Sequence, residues 1–138
     1  GDATFNMTMA AGGDGALSGL AADGGTTVPT IALDDFMAER GLDRLDLIKI
    51  DVEGAERRVL EGARRTLANL KPRLVFESGH ESADDRRAMA DLLESAGYDL
   101  IGVMLDGLIV ESDWARFAEP TGAFSDGQTR NLLALPRV

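Results

Sequence analysis

Asp46-Leu47-Ile48-Lys49-Ile50-Asp51-Val52-Glu53-Gly54-Ala55-Glu56 is an apolar run that closes on two acids and a glycine before a helical pattern begins. Leu45 to Asp51 reads as a strand whose apolar residues suggest burial on both faces, as in a central parallel strand. Glu53 to Leu70 reads as one helix, because Ala55, Val59, Ala63 and Leu67 recur every four residues and are joined by Leu60. Arg57, Glu61, Arg64 and Arg65 take the other side, with Arg57–Glu61 and Glu61–Arg65 spaced for ion pairs. Lys71-Pro72 ends that helix, and Arg73 to Glu77 is a second short apolar strand ending in an acid. Strand, helix and strand in this succession make a parallel βαβ unit. Ligands of open α/β sheets bind beyond the carboxyl ends of the strands, so Asp51 and Glu77 are expected on one rim.

The flanks add further elements. Ala3 to Met9 is rich in β-formers and reads as a strand, and the glycine clusters from Gly12 to Gly25 read as a mobile loop. Thr26 to Leu33 is extended and carries Pro29, which restricts it to an edge or a short strand. Asp34 looks like the cap of a short helix with Phe36 and Met37 that stops at Gly41. Asp84 to Ser95 is a further helix, Tyr98 to Leu105 a strand, Asp106-Gly107 a hairpin turn and Leu108 to Val110 its return. Trp114 to Gly127 is irregular, and Asn131 to Leu135 is the last strand, forming an antiparallel pair with Tyr98 to Leu105.

The chain has 138 residues, 44% hydrophobic and 28% charged, as expected of a single globular domain. Acids outnumber bases 24 to 14, and a net charge of -10 repels phosphate backbones, which argues against a nucleic-acid partner. Cysteine is absent, so disulfide and thiolate chemistry are excluded. The longest apolar runs, such as Leu100 to Leu105, are too short to cross a bilayer, and no membrane partner is expected. The amino terminus lacks a basic-then-apolar signal pattern, so the expected location is cytoplasmic, with Gly1 read as the product of a cut.

The opening run resembles the signature of the FkbM family of S-adenosylmethionine-dependent methyltransferases, approximately "D-x-I-K-I-D-V-E-G-A-E…V-L-x-G-A". The match continues through Arg57-Arg58-Val59-Leu60-Glu61-Gly62-Ala63. This resemblance implies an α/β Rossmann-like class I methyltransferase fold, here its C-terminal half, with a mixed sheet of parallel strands and an antiparallel terminal pair. It also implies methyl transfer from S-adenosylmethionine to a hydroxyl of a sugar or polyketide-like small molecule. The family's cofactor half needs a Gly-rich turn behind a strand, where backbone approaches ligand closely. The nearest segment, Ala11-Gly12-Gly13-Asp14-Gly15, has no helical pattern after it, so no cofactor-binding residue is identified. Residues 1–138 are therefore read as one partial domain, with strand and loop in 1–27 and an FkbM-like core in 28–138. The isolated chain is expected to be inactive and to bind S-adenosylmethionine weakly or not at all. The free edge of the Leu45 to Asp51 strand is expected to be covered by Ala3 to Met9, by a missing N-terminal half or by another copy of the chain.

Within that reading, Asp51, Glu77 and His80 are the candidate catalytic residues and Glu53 the candidate substrate-binding residue. A hydroxyl is a poor nucleophile until its proton begins to leave, and carboxylates or an imidazole at a strand mouth suit that task. The same groups have bland readings too. Glu53 also favours a helix amino terminus, Gly54 allows tight helix-to-strand packing, Glu56 reads as a supporting partner of the site or, in preference, a solvated first-turn acid, and Ser82 as a helix cap. Lys49 reads as a snorkelling or salt-bridged side chain. The acids with His80 could hold a divalent ion, but none is assigned. Trp114 and Phe117 read as packing residues or as a lid. The rival to an enzyme is a non-catalytic interaction domain that keeps the scaffold.

Overall fold

The computed structural model describes residues 3–8, 19–21 and 26–137. In a first sheet, β1 (Ala3–Thr8) is flanked on both sides by antiparallel neighbours, β2 (Gly19–Ala21) and β3 (Thr26–Thr30). Pro29 sits in β3, an edge strand, where its missing N–H is tolerated. β2 falls inside the stretch read as loop, because three residues are too few for alternation to register. Met9, residues 12–18 and 22–25, and the Ala11 to Gly15 segment lie outside the described residues.

The second sheet has the strand order β4-β5-β8-β6-β7, with β4 at Leu47–Ile50, β5 at Arg73–Ser78, β6 at Tyr98–Leu105, β7 at Leu108–Glu111 and β8 at Arg130–Pro136. β4 and β5 are parallel. β8 runs antiparallel between β5 and β6, and β7 closes the antiparallel hairpin through Asp106-Gly107. The molecule is thus a mixed α/β protein with a five-stranded mixed sheet.

Two expectations about β4 are corrected. Among the described residues it pairs with β5 alone, so it is an edge strand and not a central one. The register puts Ile48 and Ile50 beside Leu74 and Phe76 over the core, while Leu47 and Lys49 alternate to the opposite, exposed face. Ala3 to Met9 does not cover the free edge either, because β1 takes β2 and β3 as partners.

The helices are α1 (Leu33–Glu39), α2 (Glu56–Glu61), α3 (Arg64–Leu70), α4 (Ala83–Ser95) and α5 (Trp114–Phe117). The single helix expected over Glu53 to Leu70 begins at Glu56 and breaks at Gly62-Ala63. The Asp34 N–H donates to the Gly62 carbonyl at 2.9 Å, closing α2, while its carboxylate accepts the Arg65 and Thr66 N–H groups at 2.9 and 2.8 Å, opening α3. Asp34 therefore caps α3 and not its own helix, whose cap position is Ala32. Arg65 turns to Asp34 and Asp35 instead of pairing with Glu61.

Burial pushes the Asp34 carboxyl up, but the hydrogen bonds from Arg65 and Thr66 outweigh it and hold it below the usual carboxylate range. A lowered folded-state value gives stability that is complete above that range and is lost as pH falls through it. Asp34→Ala is expected to cost about 1 kcal/mol at pH 7 and much less at pH 3, measured by denaturant unfolding at both. An equal loss at both pH values would contradict the cap.

Leu60, Leu67, Leu74, Phe76, Met89, Leu93, Tyr98, Phe117 and Leu132 are fully enclosed between helices and sheet. α5 replaces part of the stretch expected to be irregular, with Asp113 capping it through Arg116 N at 2.7 Å. Buried Arg86 donates to the Phe117 carbonyl at 3.1 Å, and Trp114 Nε1 donates to the Tyr98 carbonyl at 2.8 Å. Trp114 and Phe117 are core residues, which removes the lid reading.

Candidate functional site

The turn between β4 and α2 sets the site. Glu53 has φ 50° and Gly54 φ 93°, so the backbone reverses through two left-handed residues. Such a conformation is uncommon for a glutamate and needs support from its surroundings. Glu56 supplies it, since its Oε1 accepts the Val52 and Gly54 N–H groups at 3.3 and 3.2 Å. Glu56 is only 1% exposed, which overturns its reading as a solvated acid. Its other oxygen, Oε2, is buried without a hydrogen-bond partner. Gly54 is placed by its backbone angle and not by tight packing, since an added Cβ would meet only the His80 Cβ at an ordinary 3.6 Å.

Asp51 leaves the end of β4 beside Glu77. The register ends with Ile50 beside Phe76, and the residues that follow, Asp51 and Glu77, are near enough for the charge of one to act on the other. Lys49 Nζ donates to Asp51 Oδ2 at 2.5 Å, the salt-bridged reading of that lysine. Glu77 is largely covered, and burial, followed by the charges of Asp51 and Glu53, raises its carboxyl above the usual range, with His80 opposing and Glu56 adding. His80 Nε2 lies 3.1 Å from Glu53 Oε2 and 4.0 Å from Glu77 Oε2. The fold thus brings Glu53, Glu77 and His80 together and leaves Asp51 alongside, engaged by Lys49.

The loop carrying His80 is fixed by Glu81, which sequence reasoning passed over. Its Oε1 accepts from the Ser78 hydroxyl and its Oε2 from the Gly79 and His80 N–H groups, the latter two at 2.9 and 3.1 Å. Gly79 has φ 149°, and a Cβ there would lie 2.6 Å from the Gln128 carbonyl oxygen, so no other residue fits. Ser82 does cap α4, accepting from Asp85 N at 3.1 Å. Beside Glu53 opens a cleft of about 420 Å³ lined by Glu53, Arg57, Arg58, Glu81 and Asp85 among others. Arg57 spans it, donating to Glu61 at 2.9 Å and to Asp85 at 2.8 Å. The signal for Glu56 was its position early in a helix, from which a glutamate can reach back to open N–H groups. For Glu81 the sequence carried no comparable signal.

No helix among the described residues is long and apolar enough to cross a membrane. The model of the methyltransferase FkbM domain matches residues 3–100. The chain is 40% identical over 78 residues to the 2-O-methyltransferase NoeI of Sinorhizobium fredii, covering 53% of this chain and 31% of that protein. It is 39% identical over 66 residues to the methyltransferase sdnD of Sordaria araneosa, covering 48% of this chain and 25% of that one. The matched stretches thus span a third or less of either relative, and no solved structure gives a significant match. A family match running through the β4 turn and the β5 rim, together with the acids and histidine gathered there, places the chain in the methyltransferase FkbM domain family.

Proposed function

We propose that the chain supplies the acceptor side of an S-adenosylmethionine-dependent O-methyltransferase acting on a hydroxyl of a sugar or polyketide-like small molecule. The observation that carries this is the convergence of Glu53, Glu77 and His80 at the carboxyl rim of β4 and β5, in a chain of this family. The strand order, with antiparallel β8 between β5 and β6, supports a Rossmann-like class I sheet. The similarity to NoeI, a 2-O-methyltransferase by name, supports oxygen as the methylated atom. Of the four candidate residues Glu53 alone lines the cleft beside the rim, and the charged lining there favours an acceptor rich in hydroxyls over an apolar one.

Among the described residues no glycine-rich strand-to-helix turn stands beside β4, so these residues do not by themselves fit S-adenosylmethionine. Calorimetric titration of the 138-residue chain is expected to give no micromolar binding of S-adenosylmethionine. Micromolar binding would move the cradle into this chain.

The chain's own residues act on the hydroxyl. Glu77 and His80 hold it at the rim, Glu53 fixes the imidazole through Nε2, and Asp51 Oδ1, the oxygen that Lys49 leaves open, takes the proton as the hydroxyl becomes nucleophilic. Glu77→Gln in the full-length protein is expected to raise the acceptor KM by roughly 10- to 100-fold, the worth of a hydrogen bond to a charged group. S-adenosylmethionine affinity should stay unchanged. An unaltered acceptor KM in a folded variant would remove Glu77 from the acceptor site.

A further inference from the structure

We propose that Glu53, Glu77 and His80 form a binding site for one first-row divalent cation, of the class that includes Mn²⁺ and Zn²⁺. The three residues come from separate places, the turn after β4, the end of β5 and the loop after it. Their ligand atoms nevertheless lie within 4.8 Å of one another. Ligands about 2.0–2.2 Å from a common ion stand roughly 3–4 Å apart, so the His80 separations of 3.1 and 4.0 Å already suit one. Two carboxylates with one imidazole suit Mn²⁺ or Zn²⁺ better than Ca²⁺, which takes oxygen ligands alone.

A second observation is independent of that geometry. Glu56 lies under the same turn, 1% exposed, with Oε1 holding the Val52 and Gly54 N–H groups and Oε2 unpartnered. A buried carboxylate with an unsatisfied oxygen is costly unless a positive charge stands close by. Among the described ion pairs, Glu53 and Glu77 have His80 and no other partner, while Lys49 is committed to Asp51. A dication at the rim would offset these carboxylates together. Three protein ligands leave coordination positions open, and an acceptor hydroxyl on one of them would lose its proton more readily to Asp51 outside the ligand set. With the ion bound, the contact between His80 Nε2 and Glu53 gives way to coordination by both residues; the site rests on the same residues as the acceptor reading above, but its test is read without methyl transfer, so either can fail alone.

Mn²⁺ is titrated into the full-length protein and followed by electron paramagnetic resonance, with pulsed measurement of nitrogen coupling. The expected result is one Mn²⁺ per chain at micromolar affinity, with nitrogen coupling from an imidazole. His80→Gln should abolish that coupling and, like Glu77→Gln, weaken binding by at least about tenfold. Asp46→Asn, at the opposite end of β4, should leave both unchanged. Circular dichroism of each variant establishes that it is folded, and Zn²⁺ competition reports the same site should a variant lose the manganese signal. Binding no tighter than millimolar, absence of nitrogen coupling, or equal weakening by Asp46→Asn would each overturn the proposal, the last by reducing it to a diffuse attraction to an acidic protein.

Discussion

Asp51→Asn in the full-length protein is expected to leave folding intact and to lower methyl-transfer turnover by roughly 10²- to 10⁴-fold, the usual worth of a positioned base. The substitution keeps the shape of the side chain while removing its negative charge and its capacity to accept a proton. Its structural cost is small, because the Lys49 bond it weakens joins two side chains that are each about half exposed, 54% and 45%, and such pairs contribute about 0–1 kcal/mol. Stability and turnover therefore separate in this variant. Steady-state kinetics beside a denaturant unfolding curve makes the comparison. Unchanged turnover in a folded variant would return Asp51 to the role of a surface partner for Lys49.

The second large effect lies in the core. Phe117 is fully buried, with its ring 5.8 Å from Phe76, 5.8 Å from Trp114 and 5.4 Å from Phe124, each in an edge-to-face arrangement. Phe117→Ala is expected to cost about 3–5 kcal/mol, because removing a ring from such a cluster leaves a cavity that its neighbours only partly fill. That is a large share of a domain's total stability of about 5–15 kcal/mol. A lid residue would cost little stability when truncated and would act on the acceptor KM. A loss under about 1 kcal/mol by denaturant unfolding would contradict the core assignment.

These two cases mark what the amino-acid pattern could and could not reveal. The strand ends that carry Asp51 and Glu77 were legible, because an apolar run that stops on an acid before a helical period defines a parallel strand and its mouth. The Asp106-Gly107 hairpin was legible from turn chemistry, and the start of α4 from Ser82. The free edge of β4 followed from the missing cofactor half and not from Leu-Ile-Lys-Ile itself, which reads alike with one neighbour or two. The break at Gly62 was not legible, since it depends on Asp34 arriving from α1 to close one helix and open the next.

The contact between Glu53 and His80 was hidden for a related reason. It needs the left-handed backbone at Glu53 and a loop conformation fixed by Glu81, and both are tertiary outcomes. Trp114 and Phe117 offered no periodicity in a stretch that forms a single helical turn, so packing was favoured with a lid left open, and the bond from Arg86 that ties that turn to α4 settles it as packing.

In the proposed function this rim receives a hydroxyl and makes its oxygen the methylated atom. Incubating the full-length protein with S-adenosylmethionine carrying a ¹³C-labelled methyl group and a panel of sugar and polyketide-like alcohols, then locating the label by nuclear magnetic resonance, tests it most directly. The label is expected on an oxygen of at least one acceptor, with little or none for Asp51→Asn. Label on nitrogen or carbon, or equal oxygen labelling by Asp51→Asn, would contradict it.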